Sequence, residues 1–212
     1  HRLAIIRAMS DRIAHRGPDQ ADYYVDDGIA MGFRRLSIID LEGGSQPILN
    51  EDGTKVLTFN GEIYNYQGLR KDLLEKGHVF RTNTDSEVLL HGYEEYGEEL
   101  LQKLRGMFAF VIWDKKKNKL FGARDIFGIK PLYYTVQDGA AGPQFIFASE
   151  IKSMLAHPHF ERAVNKNALL PYLTFQYSAT EETFFAGVYK LLPAHFFEWK
   201  DGEFVTERYW DV

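Results

Sequence analysis

Residues 106–114 read Gly-Met-Phe-Ala-Phe-Val-Ile-Trp-Asp, an almost unbroken apolar run bounded by Gly106 and Asp114. At this length it is far too short to span a bilayer, and it suits a strand buried on both faces. Such a strand needs a layer of structure above it and another below. The rest of the chain supplies both kinds of element. Ile6, Met9 and Ile13 share one face of a helix predicted over 3–14, and Leu69, Leu73 and Leu74 form the stripe of another over 66–76, which Gly77 stops. A third helix starts at a Thr84 or Asp85 cap, carries Glu87 in its first turn and reaches about Tyr96. Further helices are predicted over 150–156 and 165–172.

Strands are predicted over 22–26 and 29–33 around Asp27-Gly28, and over 195–200 and 203–209 around Asp201-Gly202, both hairpin-type pairs. Others fall at 119–123, 131–136 and 144–148. Residues 55–59 form a strand that ends at Asn60-Gly61, and residues 35–40 begin an extended stretch that leads into a Gly-rich loop at 42–47. Gly17 and Pro18 make His15-Arg16-Gly17-Pro18-Asp19 a loop. No repeat, low-complexity tract or linker divides the 212 residues, enough for one large domain. The pattern predicts an α+β sandwich of two mostly antiparallel sheets, face to face, with helices outside.

The formal charge is −5, a mildly acidic balance that gives no support for a nucleic-acid or membrane-surface partner. No signal-peptide pattern opens the chain, and a cytoplasmic location is the default reading. There is no cysteine, so a disulfide scaffold, a thiolate zinc site and a cysteine nucleophile are excluded from these residues.

Three segments can carry chemistry. Asn60-Gly61 is a common turn pair; it can also offer a side-chain amide and a backbone N–H at one point, which an oxyanion requires during acyl transfer. Arg35, beside Leu36-Ser37-Ile38-Ile39, is either a surface arginine at a strand edge or a bidentate partner for a carboxylate. Asp85 caps a helix or receives an ammonium. An arginine and a carboxylate together recognise a free amino acid by its charged ends.

None of these segments is specific alone, but their joint order is. The blocks are His15-Arg16-Gly17-Pro18-Asp19, Arg35-Leu36-Ser37-Ile38-Ile39-Asp40, Asn60-Gly61-Glu62-Ile63-Tyr64-Asn65 and Thr84-Asp85-Ser86-Glu87-Val88. They continue with Gly106-Met107-Phe108-Ala109-Phe110, Arg124-Asp125 with Gly128 and Lys130-Pro131-Leu132-Tyr133-Tyr134, and Ala148-Ser149-Glu150-Ile151-Lys152. Over nearly the whole chain this resembles the glutaminase domain of glutamine-hydrolysing asparagine synthetases, class II amidotransferases of the N-terminal-nucleophile hydrolase fold. The resemblance implies a four-layer αββα sandwich. It implies that L-glutamine is held by Arg35 at its α-carboxylate and by Asp85 at its α-ammonium. Leu36, Ser37, Ile38 and Ile39 would line the pocket, Glu62 would add a contact at the amino-acid end, and Asn60 with Gly61 would form the oxyanion hole.

The nucleophile of that family is an N-terminal cysteine whose own α-amine acts as base. The chain begins with His1, so the resemblance implies roughly a dozen preceding residues with a first strand and that cysteine; a start without cysteine would mean an inactive domain. It also implies a carboxyl-terminal synthetase domain of the same polypeptide, where ATP and Mg act on aspartate; no cofactor is expected in the glutaminase domain, and members are often homodimers. Two other readings stand beside it: a glutamine-binding or scaffold module without a nucleophile, and a related amidotransferase with another acceptor. His157-Pro158-His159 reads as a surface turn, Lys115-Lys116-Lys117 as a solvated hairpin tip, and His15 with Arg16 as organisers of the loop near the pocket. Asp125 is left without a catalytic role.

Overall fold

The computed structural model describes residues 1–36, 45–139, 142–178 and 180–211. Along the chain come α1 (Arg2–Asp11), β1 (Gln20–Val25), β2 (Ala30–Arg35), β3 (Ile48–Leu49), β4 (Lys55–Ile63), α2 (Tyr66–Glu75) and α3 (Asp85–Tyr96). Then follow α4 (Leu100–Lys103), β5 (Gly106–Asp114), β6 (Lys119–Arg124), β7 (Tyr133–Gly139), β8 (Gly142–Ala148), α5 (Ile151–Met154), α6 (Leu169–Phe175), β9 (Val188–Lys190), β10 (His195–Lys200) and β11 (Glu203–Arg208).

The run at 106–114 is β5, near the middle of an antiparallel six-stranded sheet ordered β11-β10-β6-β5-β4-β3. Alternation along β5 sends its side chains both ways. Phe108, Phe110 and Ile112 join Leu57, Phe59 and Ile63 of β4 under the helices, against Leu73, Val88, Leu89 and Tyr93. Ala109, Val111 and Trp113 face the other way, into a core with Met31, Leu132, Tyr134 and Phe197. That second face is covered by two separate pieces of sheet, the hairpin β1-β2 and the three strands β8-β7-β9. Aromatic contacts hold the latter in place, the ring centre of Phe145 lying 4.9 Å from that of Phe197 in a tilted pair and 5.5 Å from that of Phe204 in a stacked one. Outside these pieces, Met9 of α1 and Met154 of α5 pack on Ile146 and Val188. The layers therefore run helix, sheet, sheet, helix.

Several boundaries differ from the sequence reading. The first helix stops at Asp11, and Ala14–Arg16 form a separate 3-10 turn. The helix predicted over 150–156 keeps only four residues before turning, and the one over 165–172 opens as a 3-10 turn and continues to Phe175. The largest correction concerns Asn60-Gly61. It is not a turn, because β4 runs through it to Ile63 and pairs Asn60 with Ala109 and Gly61 with Phe108. Pairing with β5 on one side carries the extended backbone through these two residues, and that outweighs the local turn preference of the pair.

Candidate active site

Alternation along β4 puts Val56, Thr58 and Asn60 on the face toward the second sheet layer, and Leu57, Phe59 and Ile63 toward the helices. Asn60 thus lines a cleft of about 680 Å³ that opens between β2 and β8, with Ile6, Met31, Val111, Phe147 and Ser153 also on its walls. The Nδ2 of Asn60 is buried and has no hydrogen-bond partner among the described residues. Such a donor costs about 1–3 kcal/mol to keep dry. Gly61 follows at φ +149°, and a Cβ there would lie 2.0 Å from the Met107 carbonyl oxygen, so only glycine fits. The register is held from behind by Asp125, which is fully buried. Its Oδ2 accepts from the N–H of Phe108, the residue opposite Gly61, at 3.2 Å, and from the Lys130 N–H at 3.0 Å. On the other side, the Gln46 side chain acts as a short strand against Phe59, accepting its N–H at 2.6 Å and donating to its carbonyl at 3.0 Å.

Arg35 ends β2, the strand that packs across β4. Arg34 turns to α1, donating to Ser10 Oγ at 3.1 Å and pairing with Asp11, and lines the cleft there. Alternation therefore turns Arg35 to the same side as Met31, toward the layer that Asn60 faces. The loop at 15–19 abuts this strand end: a Cβ on Gly17 would sit 2.4 Å from the Arg35 nitrogen, and Asp19 N–H donates to the Arg35 carbonyl at 3.2 Å. That loop is anchored in turn by Glu150, whose Oε1 lies 2.9 Å from His15 Nε2 and 3.2 Å from Arg16 Nη1. Burial would raise the Glu150 pKa, but hydrogen bonds from His15, Arg16 and Lys152 hold it below the usual value. Leu36 is exposed, and Ser37, Ile38, Ile39 and Asp40 lie outside the described residues.

Asp85 is the first residue of α3, and the cap is Thr84, whose side chain accepts from the Glu87 N–H. The Asp85 carboxylate instead reaches across to β4, its Oδ2 accepting from the Ile63 N–H at 2.9 Å. It is thereby fixed to the strand two residues past Gly61, beside the exposed Glu62. Burial pushes its pKa up, as does the charge of Glu62, against the pull of the Ile63, Ser86 and Asp85 amides.

Of the expected site residues among those described, only Asn60 lines the cleft; Gly61 and Glu62 follow it on β4, Asp85 is tied to that strand from α3 at Ile63, and Arg35 and Leu36 are not on the cleft walls. Sequence reasoning missed Gln46 and the supporting role of Asp125. No local signal marks a glutamine before a proline as a strand mimic. Asp125 was legible only as part of a block, and its work is to accept backbone N–H groups at Phe108, Phe127, Ile129 and Lys130.

Two facing sheets enclosed by helices are the fold of the class II amidotransferases. Solved structures share it: the glutamine phosphoribosylpyrophosphate amidotransferase from B. subtilis matches with a TM-score of 0.65 at 18% identity, covering 97% of this chain and 46% of that one. A second structure, described as the allosteric regulatory enzyme of purine biosynthesis, gives 0.67 at 20% identity, covering 97% of this chain and 46% of that one. At such identities the likeness speaks for the fold alone. The chain belongs to the glutamine amidotransferase domain family, whose description matches residues 1–210. It is 47% identical over 206 residues to glutamine-hydrolyzing asparagine synthetase 1 of Bacillus subtilis (strain 168), covering 97% of this chain and 32% of that protein. Asparagine synthetase 2 of the same organism is 43% identical, covering 98% of this chain and 28% of the relative. The chain spans about a third of the length of the curated relatives it matches.

Proposed function

We propose that the chain is the glutaminase domain of a glutamine-hydrolysing asparagine synthetase, releasing ammonia from L-glutamine for the ATP-dependent amidation of aspartate in a separate domain of the same polypeptide. The observation that carries this reading is the buried Nδ2 of Asn60, without a partner among the described residues, beside Gly61 on a strand that lines the cleft. In this reading Arg35 pairs with the α-carboxylate of glutamine. Asp85 pairs with the α-ammonium, and that positive charge reverses the rise in pKa that burial and Glu62 impose. Glu62 adds a contact at the same end, and Leu36, Ser37, Ile38 and Ile39 line the pocket. The side-chain carbonyl of glutamine then lies against Asn60 Nδ2 and the Gly61 N–H.

The nucleophile in this reading is a cysteine thiolate from outside these 212 residues, which contain none. It enters on a strand in the cleft between β2 and β8, whose facing edges have no strand partner among the described residues. Its sulfur bonds to the amide carbon, and the negative charge on oxygen falls between the two donors. The C–N bond then breaks, a proton goes to the departing nitrogen, ammonia leaves, and water hydrolyses the thioester to glutamate. Each donor contributes roughly 3–4 kcal/mol in comparable sites. In this reading glutamine hydrolysis itself uses no cofactor, and ATP and Mg act in the synthetase domain.

The test is to express the full open reading frame and measure glutamate release from glutamine, with and without a thiol-directed glutamine analogue. Turnover that stops on labelling of one cysteine supports the reading. Glutamine binding without turnover or labelling would make the chain a binding module instead. Arg35→Ala should raise KM about 10- to 100-fold, since it removes a charge-assisted pair to the substrate. An unchanged KM would overturn the assignment of the pocket.

A further inference from the structure

On the helix side of the six-stranded sheet, away from the cleft, α3 carries a histidine with no part in glutamine chemistry. The His91 side chain is 1% exposed. Its Nδ1 lies 2.9 Å from Glu94 Oε2 and 3.7 Å from Glu51 Oε2. Its Nε2 is buried without a hydrogen bond among the described residues. The carboxylate oxygen near it, Glu87 Oε1 at 3.7 Å, already accepts the Arg81 N–H at 2.8 Å. The ring of His78 stands 5.2 Å from that of His91, centre to centre. One nitrogen of each imidazole and one carboxylate oxygen of Glu51 lie within 4.8 Å of one another.

We propose that Glu51, His78 and His91 form a binding site for a divalent transition-metal ion of the zinc type. Two imidazoles and a carboxylate are the donors that such an ion prefers, with a fourth position left to water. Glu94 on Nδ1 is the outer carboxylate that fixes a ligating histidine in one tautomer and leaves the lone pair on Nε2, so Glu51, which stands 3.7 Å from Nδ1, has to swing to the Nε2 side to complete the site.

Charge favours the same ion. Glu51, Glu87, Glu94 and Glu95 surround the two imidazoles, and the cations facing them are Lys55, 3.8 Å from Glu94, and Lys76, 3.4 Å from Glu95. The cluster holds more negative than positive charge, and two positive charges at its centre offset the difference. Ligand atoms around a tetrahedral zinc stand about 3.4 Å apart. A rotation of Glu51, whose side chain is 39% exposed, closes most of the remaining gap and gives the ion a route from solvent. Such an ion would tie together three segments that are distant in sequence: the turn before β4, the loop between α2 and α3, and α3 itself.

The experiment uses the full-length polypeptide, stripped with a chelator and titrated with Co2+ and with Zn2+. Binding is followed by calorimetry, by the visible absorption of Co2+ and by the melting temperature. One equivalent should bind with a tetrahedral or five-coordinate Co2+ spectrum, and the melting temperature should rise with metal concentration. Glu51→Gln, at an exposed side chain that the fold does not require, should weaken that binding at least tenfold, and His78→Gln should do the same. His157→Ala with His159→Ala, which removes the surface histidine pair whose rings lie 5.8 Å apart, should leave it unchanged. Binding that is absent at millimolar metal, or that survives both Glu51→Gln and His78→Gln, would overturn the proposal.

Discussion

Asn60 holds a buried donor with no partner among the described residues, on a strand whose pairing with β5 fixes its position. Two consequences separate a functional amide from a structural one. Asn60→Ala in the full chain should lower kcat by about 100- to 1,000-fold with KM nearly unchanged. The same change should leave the melting temperature equal or higher, because it removes an unsatisfied polar group. A fall in melting temperature with unaltered kcat would assign the side chain a packing role. Asp85 offers a pH test. Its pKa is raised in the free site by burial and by Glu62, so glutamine should bind less tightly as pH falls toward and through that raised value, where the carboxylate takes up a proton. In kcat/KM profiles, Asp85→Asn should abolish this acid limb. The sequence made Arg35, Asn60 and Asp85 candidates through the order of their blocks. It could not reveal Gln46, because a side chain that imitates a strand leaves no periodicity to read.

At the level of elements, hydrophobic pattern worked where burial is uniform and failed where tertiary contacts decide. The bounds of β5 and of α3 followed from the apolar run and the capping residues, although the choice of Thr84 over Asp85 as the cap did not. The continuation of β4 through Asn60-Gly61 did not, since it depends on a partner strand nearly 50 residues on, at Ala109 and Phe108. The short α5 gives way to a turn although Leu155 and Ala156 still pack against the cluster of Met9 and Ile146, which no local signal announces. The start of α3 rests on Glu87, whose oxygens accept the Arg81 N–H at 2.8 Å, the Thr82 N–H at 2.7 Å and the Thr82 hydroxyl at 2.6 Å. Burial would push the Glu87 pKa up, but these bonds and the nearby His91 hold it down. A group lowered in this way adds stability above its ordinary value, and loses it as pH falls through the folded-state pKa. Glu87→Gln should therefore destabilise the protein by roughly 2–3 kcal/mol at neutral pH and flatten the acid side of the stability profile, measured by denaturant titration. An unchanged profile would show that the bonds to Arg81 and Thr82 do not depend on charge.

At the scale of the whole molecule, the four layers were legible because β5 demands cover on both faces and the hairpins and helices exist to supply it. What the pattern could not convey is that the second sheet layer comes in two pieces. The strands β2 and β8 border the cleft without a strand partner on that side among the described residues, and main-chain N–H and C=O groups there remain ready to pair. This has a practical side for anyone handling the material. A preparation of these 212 residues by themselves should be sticky, forming oligomers that grow with concentration in sedimentation velocity, as molecules lend one another the missing rung. An extended peptide that fits the slot should dissolve such clumps, and a solution that stays monodisperse when concentrated would mean that the two borders are already quenched.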